Sequence, residues 1–305
     1  MPIELTAGPL AMQWDDELGF LRTIRLGDAE IIRGVFAAIR DADWNTIGCR
    51  IDDVDVCQSD DSFELRFRAT ANDPAVPYHW LGRIEGRASG QSGDPTVVYQ
   101  FDGVADGPFQ KNRIGVCLLH PLATCLGNPV EVLHSDGTTS HGEFPHRISP
   151  HQPANDIRAI TYRTGDLRVR VDFEGEVFEM EDQRNWTDAS FKTYSTPLDL
   201  PFPLAVKTGD RVRHRITITA SDSHGHTPIH TVGLETDAIV CRVDWDSLQP
   251  RPKVGLGLAT SDAVPDAVVK RLKAMQPDHL RVDLRMDHPD WQSAAERASD
   301  LAKSQ

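Results

Sequence analysis

Leu167-Arg168-Val169-Arg170-Val171-Asp172-Phe173 alternates apolar and charged side chains without a break. Successive side chains of an extended chain point to opposite faces, so this stretch presents Leu, Val, Val and Phe on one side and Arg, Arg and Asp on the other. A helix would scatter both sets around its circumference. The same period of two recurs in Phe63-Glu64-Leu65-Arg66-Phe67-Arg68-Ala69 and in Arg213-His214-Arg215-Ile216-Thr217-Ile218-Thr219. Turn-forming triplets separate such segments: Leu26-Gly27-Asp28, Ser135-Asp136-Gly137 and Thr164-Gly165-Asp166. From Ile3 to Asp246 helical patterns are scarce. Many half-buried strands over that length predict a mainly β fold, a large antiparallel β-sandwich occupying residues 1–248.

The pattern changes at Gln249-Pro250-Arg251-Pro252, a stiff step suited to a domain entry. Val254 to Leu258 reads as a short apolar strand, and Pro265 to Met275 as an amphipathic helix with Pro265 in its first turn. His279 to Arg285 reads as a second strand and Pro289 to Ala302 as a second helix. This βαβα order predicts a parallel pair joined by a crossover, the start of a (β/α)₈ barrel in residues 249–305. A full barrel takes about 250 residues. The segment is therefore expected to be a truncated barrel, loosely docked, with Asp283, Arg285 and His288 at strand ends where barrel chemistry would sit.

With 46 acidic against 32 basic side chains the formal charge is -14, which opposes binding to nucleic acid or an anionic membrane. An anionic ligand would need local cationic contacts. Met1 to Leu10 carries no secretory pattern, and no stretch of about 18 apolar residues predicts a membrane span. Five widely spaced cysteines, Cys49, Cys57, Cys117, Cys125 and Cys241, form no C-x-x-C pair and point to reduced thiols in the cytoplasm.

Glu179 to Tyr194 is the segment richest in chemistry. Glu181, Asp182, Arg184, Asp188 and Lys192 stand between Trp186, Phe191 and Tyr194, a polar strip on aromatic anchors that suits a hydroxylated or carboxylate-bearing ligand. The same charges could equally pair with one another. A second group is His134, His141, His146 and His151, with Asp136 and Glu143 between them; an extended chain would put His141 and Glu143 on one side. A third is His224-Gly225-His226 with His230, Asp222 and Glu235, where an H-x-H pair on a strand is a geometry zinc can use. Neither a G-x-S-x-G elbow, an H-E-x-x-H pair nor a phosphate loop is present, and Gly255-Leu256-Gly257 lacks the third glycine of a dinucleotide fingerprint.

Several separated phrases resemble the D-apionate lactonase family in wording and order. They are the Glu179–Tyr194 strip followed by Pro197-Leu198, Pro201 and Pro203; Glu30-Ile31-Ile32-Arg33-Gly34-Val35-Phe36; Ile39 to Thr46; His120-Pro121; Gly127-Asn128-Pro129-Val130; and Phe144-Pro145 through Pro150-His151-Gln152-Pro153. The resemblance implies a galactose-mutarotase-like sandwich followed by a barrel, and a lactonase opening D-apionolactone to D-apionate in carbohydrate catabolism. Its partner would be a small sugar-acid lactone. No cofactor is implied, a divalent metal stays open, and so does the oligomeric state.

Lactone hydrolysis needs a base to activate water and a donor for the oxyanion. Glu181, Asp182 and Glu143 are the candidate catalytic carboxylates; Arg184, Asp188, Lys192, Trp186 and His141 are the candidate substrate contacts. Two rival functions fit the same residues. One is a non-catalytic carbohydrate-binding sandwich stacking sugars on Trp44, Trp80 and Trp186; the other is an aldose epimerase-like enzyme with a histidine acid and a glutamate base. A glycoside hydrolase fits less well, because its paired carboxylates would be expected at barrel strand ends.

Overall fold

The computed structural model describes residues 2–89, 93–222, 250, 252–258, 264–284, 286 and 289–303. The chain divides into two compact units, Met1–Glu235 and Thr236–Gln305. His224, His226, His230, Glu235, Cys241, Arg285 and His288 lie outside the described residues, as does the Asp222 side chain.

In the first unit the strands are β1 (Ile3–Ala7), β2 (Leu10–Asp15), β3 (Phe20–Leu26), β4 (Ala29–Asp41), β5 (Cys49–Gln58), β6 (Ser62–Ala71), β7 (Tyr78–Arg87), β8 (Thr96–Ala105) and β9 (Phe109–Pro121). A one-turn helix α1 (Leu122–Cys125) precedes β10 (Pro129–Leu133), β11 (Thr139–Glu143), β12 (Ala154–Ile157), β13 (Ala159–Thr164) and β14 (Leu167–Glu174). Then come β15 (Phe178–Asp182), β16 (Ser190–Tyr194), β17 (Leu204–Val206) and β18 (Arg211–Asp222). They form two nine-stranded sheets. One runs β1-β2-β3-β4-β9-β16-β15-β12 with β17 also on β9; the other runs β11-β10-β13-β14-β18-β8-β7-β6-β5.

The mainly β, antiparallel architecture follows the alternation read from the sequence. Phe63, Leu65, Phe67 and Ala69 of β6 are buried, as are Val169, Val171 and Phe173 of β14 and Ile216 and Ile218 of β18. Gly27, Gly137 and Gly165 take positive φ at the three turn triplets, the conformation that glycine adopts without steric cost. One expectation is corrected in the core. Trp80 is 3% exposed and packs on Phe101, so it offers no face to a sugar.

β9 departs from alternation: Asn112 to Pro121 are buried without interruption, the pattern of a strand covered on both faces. Along one edge β17 pairs with Phe109 to Lys111 and β16 with Cys117 to Pro121, leaving residues 112–116 between them without a strand on that side. Buried backbone groups in such a gap need side-chain partners. The Val116 N–H donates across the core to His214 Nδ1 at 3.2 Å, and Arg113 Nη1 donates to the neighbouring Asn112 carbonyl at 2.5 Å.

With Nδ1 accepting, the neutral imidazole of His214 carries its hydrogen on Nε2, which lies 3.6 Å from Glu176 Oε2. Ser195 Oγ and Thr196 Oγ1 donate to the same oxygen at 2.6 and 3.1 Å. Burial opposes the Glu176 charge, but His214, Ser195 and the Lys111 ammonium outweigh it and hold the carboxyl down at about 2.

The second unit has the expected strand–helix–strand–helix order: β19 (Gly255–Leu258), α2 (Asp266–Met275), β20 (His279–Val282) and α3 (Trp291–Lys303), with β19 and β20 parallel. Pro265 caps α2 from just outside instead of entering its first turn. Among the described residues no helix is long and apolar enough to cross a membrane.

Because the folded Glu176 carboxyl titrates below its ordinary 4.5, its contribution to stability is complete above that pH and is lost as pH falls toward about 2. The side chain keeps 35% exposure, and solvent screening brings the contribution to about 1–2 kcal/mol. Glu176→Gln is expected to lower stability by that amount at pH 7 and to flatten the loss between pH 4.5 and 2. Urea unfolding at pH 7 and pH 3 checks both.

Candidate active site

The strip between β15 and β16 folds as a hairpin around a 3-10 turn, Gln183–Trp186, closed by Thr187 in the left-handed conformation. Asp182 caps the turn, its side chain accepting from the Arg184 N–H at 3.1 Å, the role that favours Asp before a helical turn. Antiparallel pairing sets Glu181 opposite Lys192 and Asp182 opposite Phe191. Alternation then sends Asp182 inward, fully buried, and leaves Glu181 partly exposed.

Asp182 and Arg184 form a buried ion pair. Arg184 Nε donates to Asp182 Oδ1 at 2.9 Å and Nη2 to Oδ2 at 2.7 Å. The guanidinium lies 5.2 Å from the centre of the Phe191 ring and donates to the carbonyls of Pro145, His146 and Arg147 at 2.7, 2.9 and 3.1 Å. The Ser149 N–H donates to Asp182 Oδ2 at 2.9 Å, and Asn185 Nδ2 to the Ser149 carbonyl at 2.6 Å. Burial works against the Asp182 charge, yet Arg184 and the N–H of Ser149 prevail and hold its carboxyl below the usual range. The pair thus ties the Pro145–Ser149 segment to the hairpin.

A cleft of about 290 Å³ opens where that segment meets the hairpin. Glu181, Asn185 and Trp186 form one wall; Ser149, Pro150, His151 and Gln152 form the other. Glu181 Oε1 accepts from Trp186 Nε1 at 2.7 Å and Oε2 pairs with Lys192 Nζ at 2.8 Å. A carboxylate has about four acceptor positions, so Glu181 is anchored and still free to take a further hydrogen bond. Trp186 is 69% exposed, its indole held by that one bond at the mouth. Lys192 Nζ lies 4.9 Å from the centre of the Tyr194 ring.

The structure brings Glu181 and Trp186 of the expected set into the cleft, with Lys192 behind Glu181. Asp182 and Arg184 stand beneath it, and their saturation by one another and by backbone groups makes them positioning residues; a fully buried, four-times-bonded Asp182 has no route to a water. Asp188 accepts from Ser190 Oγ at 2.9 Å outside the cleft. His141 and Glu143 share one exposed face of β11, as extended spacing requires, but neither lines the cleft. Of the other histidines, His151 does. Ser149, Gln152 and Asn185, which also line it, are outside the set expected from sequence. Among the described residues no cluster of three or more His, Cys, Asp or Glu is placed to hold a metal ion.

Residues 1–223 match the family described as D-apionate lactonase, N-terminal domain. The chain belongs to the D-apionate lactonase family. A D-apionate lactonase from Brucella anthropi is 38% identical over 226 residues, which are 73% of this chain and 36% of that protein. The chain therefore matches about a third of the length of this relative. Among solved structures, a galactose mutarotase-like protein from Lactobacillus casei is 10% identical with a TM-score of 0.48, over 72% of this chain and 100% of its own. A galactose 1-epimerase from Lactobacillus acidophilus is 8% identical with a TM-score of 0.48, over 73% and 95%. Both the cleft and the ion pair of this lactonase-family chain fall inside the matched residues.

Removing one member of a buried pair leaves an uncompensated charge, at a cost of about 3–5 kcal/mol. Arg184→Met is expected to destabilise the first unit by that amount in urea melts and to expose residues 145–149 to limited proteolysis. Replacing both members by apolar residues should recover much of the stability while leaving the segment open to cleavage.

Proposed function

We propose that this chain binds a sugar-acid lactone in the Glu181 cleft and hydrolyses it to the free acid, D-apionolactone to D-apionate, in carbohydrate catabolism. What carries this reading is one cleft, in a D-apionate lactonase family domain, that combines an anchored carboxylate, two amide side chains and an exposed indole. A polyhydroxylated ring lies against Trp186, where an apolar face and polar rim suit it. Glu181 takes a proton from the water attacking the lactone carbonyl carbon, the bond from that carbon to the ring oxygen breaks, and Glu181 returns the proton to the ring oxygen, which leaves as an alcohol. Gln152 is the donor placed for the developing oxyanion, while Asn185, whose Nδ2 is spent on the Ser149 and Asp182 carbonyls, offers its amide oxygen to a substrate hydroxyl. Cys49, Cys57, Cys117 and Cys125 are free thiols, which suits a reducing compartment such as the cytoplasm.

The exposure of Trp186 favours a second reading, a carbohydrate-binding sandwich without turnover. Acid release by pH-stat from D-apionolactone, with and without EDTA, separates the two. The chain is expected to release acid, and Glu181→Gln to lower kcat by about 10²–10⁴ with binding changed little. Equal rates for both proteins would remove Glu181 from the mechanism. Binding without acid release by the unmutated chain would replace the lactonase reading by the binding one.

A further inference from the structure

A different cluster has the form of a nucleophile, a base and an orienting group. His134, at the end of β10, and Ser140, on β11, meet across the hairpin that ends in the Ser135-Asp136-Gly137 turn. His134 Nε2 lies 2.8 Å from Ser140 Oγ, and His134 Nδ1 lies 3.1 Å from the Asp156 carbonyl on β12 of the other sheet. A carbonyl can only accept, so Nδ1 carries the hydrogen and Nε2 presents its lone pair to the Ser140 hydroxyl. That is the tautomer a general base needs toward a serine. The Asp156 side chain adds a second tie, accepting from the Ser135 N–H at 3.3 Å.

The backbone supplies donors beside the hydroxyl. β11 is the edge strand of its sheet. His134 N–H donates to the Thr138 carbonyl at 2.8 Å, and at the other end Phe144 N–H donates to the Asn128 carbonyl at 2.9 Å. Hydrogen-bonded and non-hydrogen-bonded pairs alternate along an antiparallel ladder. Counting from either end, Val132 and Ser140 are a hydrogen-bonded pair, so the N–H groups of Thr139 and His141, on either side of Ser140, point out of the free edge. Among the described residues neither has a hydrogen-bond acceptor there. Ser140 is exposed while His134 is half-buried against β12, so the hydroxyl is accessible and its base is held.

We propose that Ser140 and His134 form a second nucleophilic centre, distinct from the Glu181 cleft, that accepts acyl groups from small, unhindered esters and lactones with good leaving groups. Ser140 Oγ attacks the carbonyl carbon as its proton passes to His134 Nε2, and the outward N–H of the next residue, His141, receives the oxyanion. The carbon–oxygen bond to the leaving alcohol breaks, and His134 returns the proton to that oxygen. Water then cleaves the acyl-serine by the same steps, releasing the acid. The absence of walls around Ser140 restricts the centre to activated substrates.

The test uses a small alkyl fluorophosphonate on the whole chain, with the adduct located by peptide mass mapping. Serine oxygen displaces fluoride and His134 takes the proton, so the probe reads the dyad without any lactone and its outcome is independent of the cleft. The expected result is an adduct on Ser140 forming at least tenfold faster than on Ser59, an exposed serine in another turn, and slowed at least tenfold by His134→Gln. Labelling of Ser140 no faster than Ser59, or undiminished in a folded His134→Gln variant, would overturn the proposal. The comparison with Ser59 in the unmutated chain decides the matter even if the variant fails to fold.

Discussion

Arg184 spends all three of its guanidinium nitrogens within one small volume, on the Asp182 carboxylate and on the carbonyls of Pro145, His146 and Arg147. Asp182 in turn accepts from the Ser149 and Arg184 backbone N–H groups. Taking two charges out of water is costly, and such a pair is favourable only when its remaining donors and acceptors are satisfied. Here nearly all of them are, and the carbonyl partners belong to a segment 37 to 39 residues earlier in the chain. The pair therefore contributes less as a source of stability than as a constraint on geometry. It fixes the Ser149 end of the Ser149–Gln152 wall opposite Glu181, where the Asn185 bond to the Ser149 carbonyl supports it.

From this buried pair outward, the hairpin register assigns the roles. Neighbouring residues on a strand face opposite ways, so Asp182 goes to the interior and Glu181 to the cleft. Lys192, directly across from Glu181, anchors the carboxylate, and Trp186, at the end of the 3-10 turn, reaches back to its other oxygen. A one-residue slip would exchange the faces of Glu181 and Asp182 and destroy both the anchor and the reactive group. The gap in β9 shows the same economy of means: where the ladder breaks, side chains serve its backbone groups, His214 the Val116 N–H and Arg113 the Asn112 carbonyl.

Much of the fold was legible because alternation leaves a direct trace in sequence. β6, β14 and β18 follow from their period of two, and the turn triplets mark three strand boundaries. β9 was not legible in that way: a strand buried on both faces reads as a continuous run. The site was legible by composition but not by role. Glu181 to Lys192 stood out as charges among rings, yet the sequence could not say that Asp182 faces inward, since that depends on register. Ser149 and Asn185 were hidden because short polar residues in a Pro-rich loop carry no chemical signature until the Arg184 bonds fold them against the hairpin. The Ser140–His134 contact was equally silent, resting on a hairpin closure six residues long and on a carbonyl from the opposite sheet.

The most direct measurement is the indole N–H signal of Trp186 among the six tryptophans, followed by NMR as the lactam analogue of the sugar lactone is added. A ligand seated between Trp186 and the Ser149–Gln152 wall, with its polar atoms at Glu181, must shift that signal in a saturable way. The same titration of Arg184→Met should show the shift lost or greatly weakened, because the wall is no longer held. A shift of other tryptophans with Trp186 unmoved, or an identical titration in Arg184→Met, would contradict the assignment of the cleft and of the ion pair that builds it.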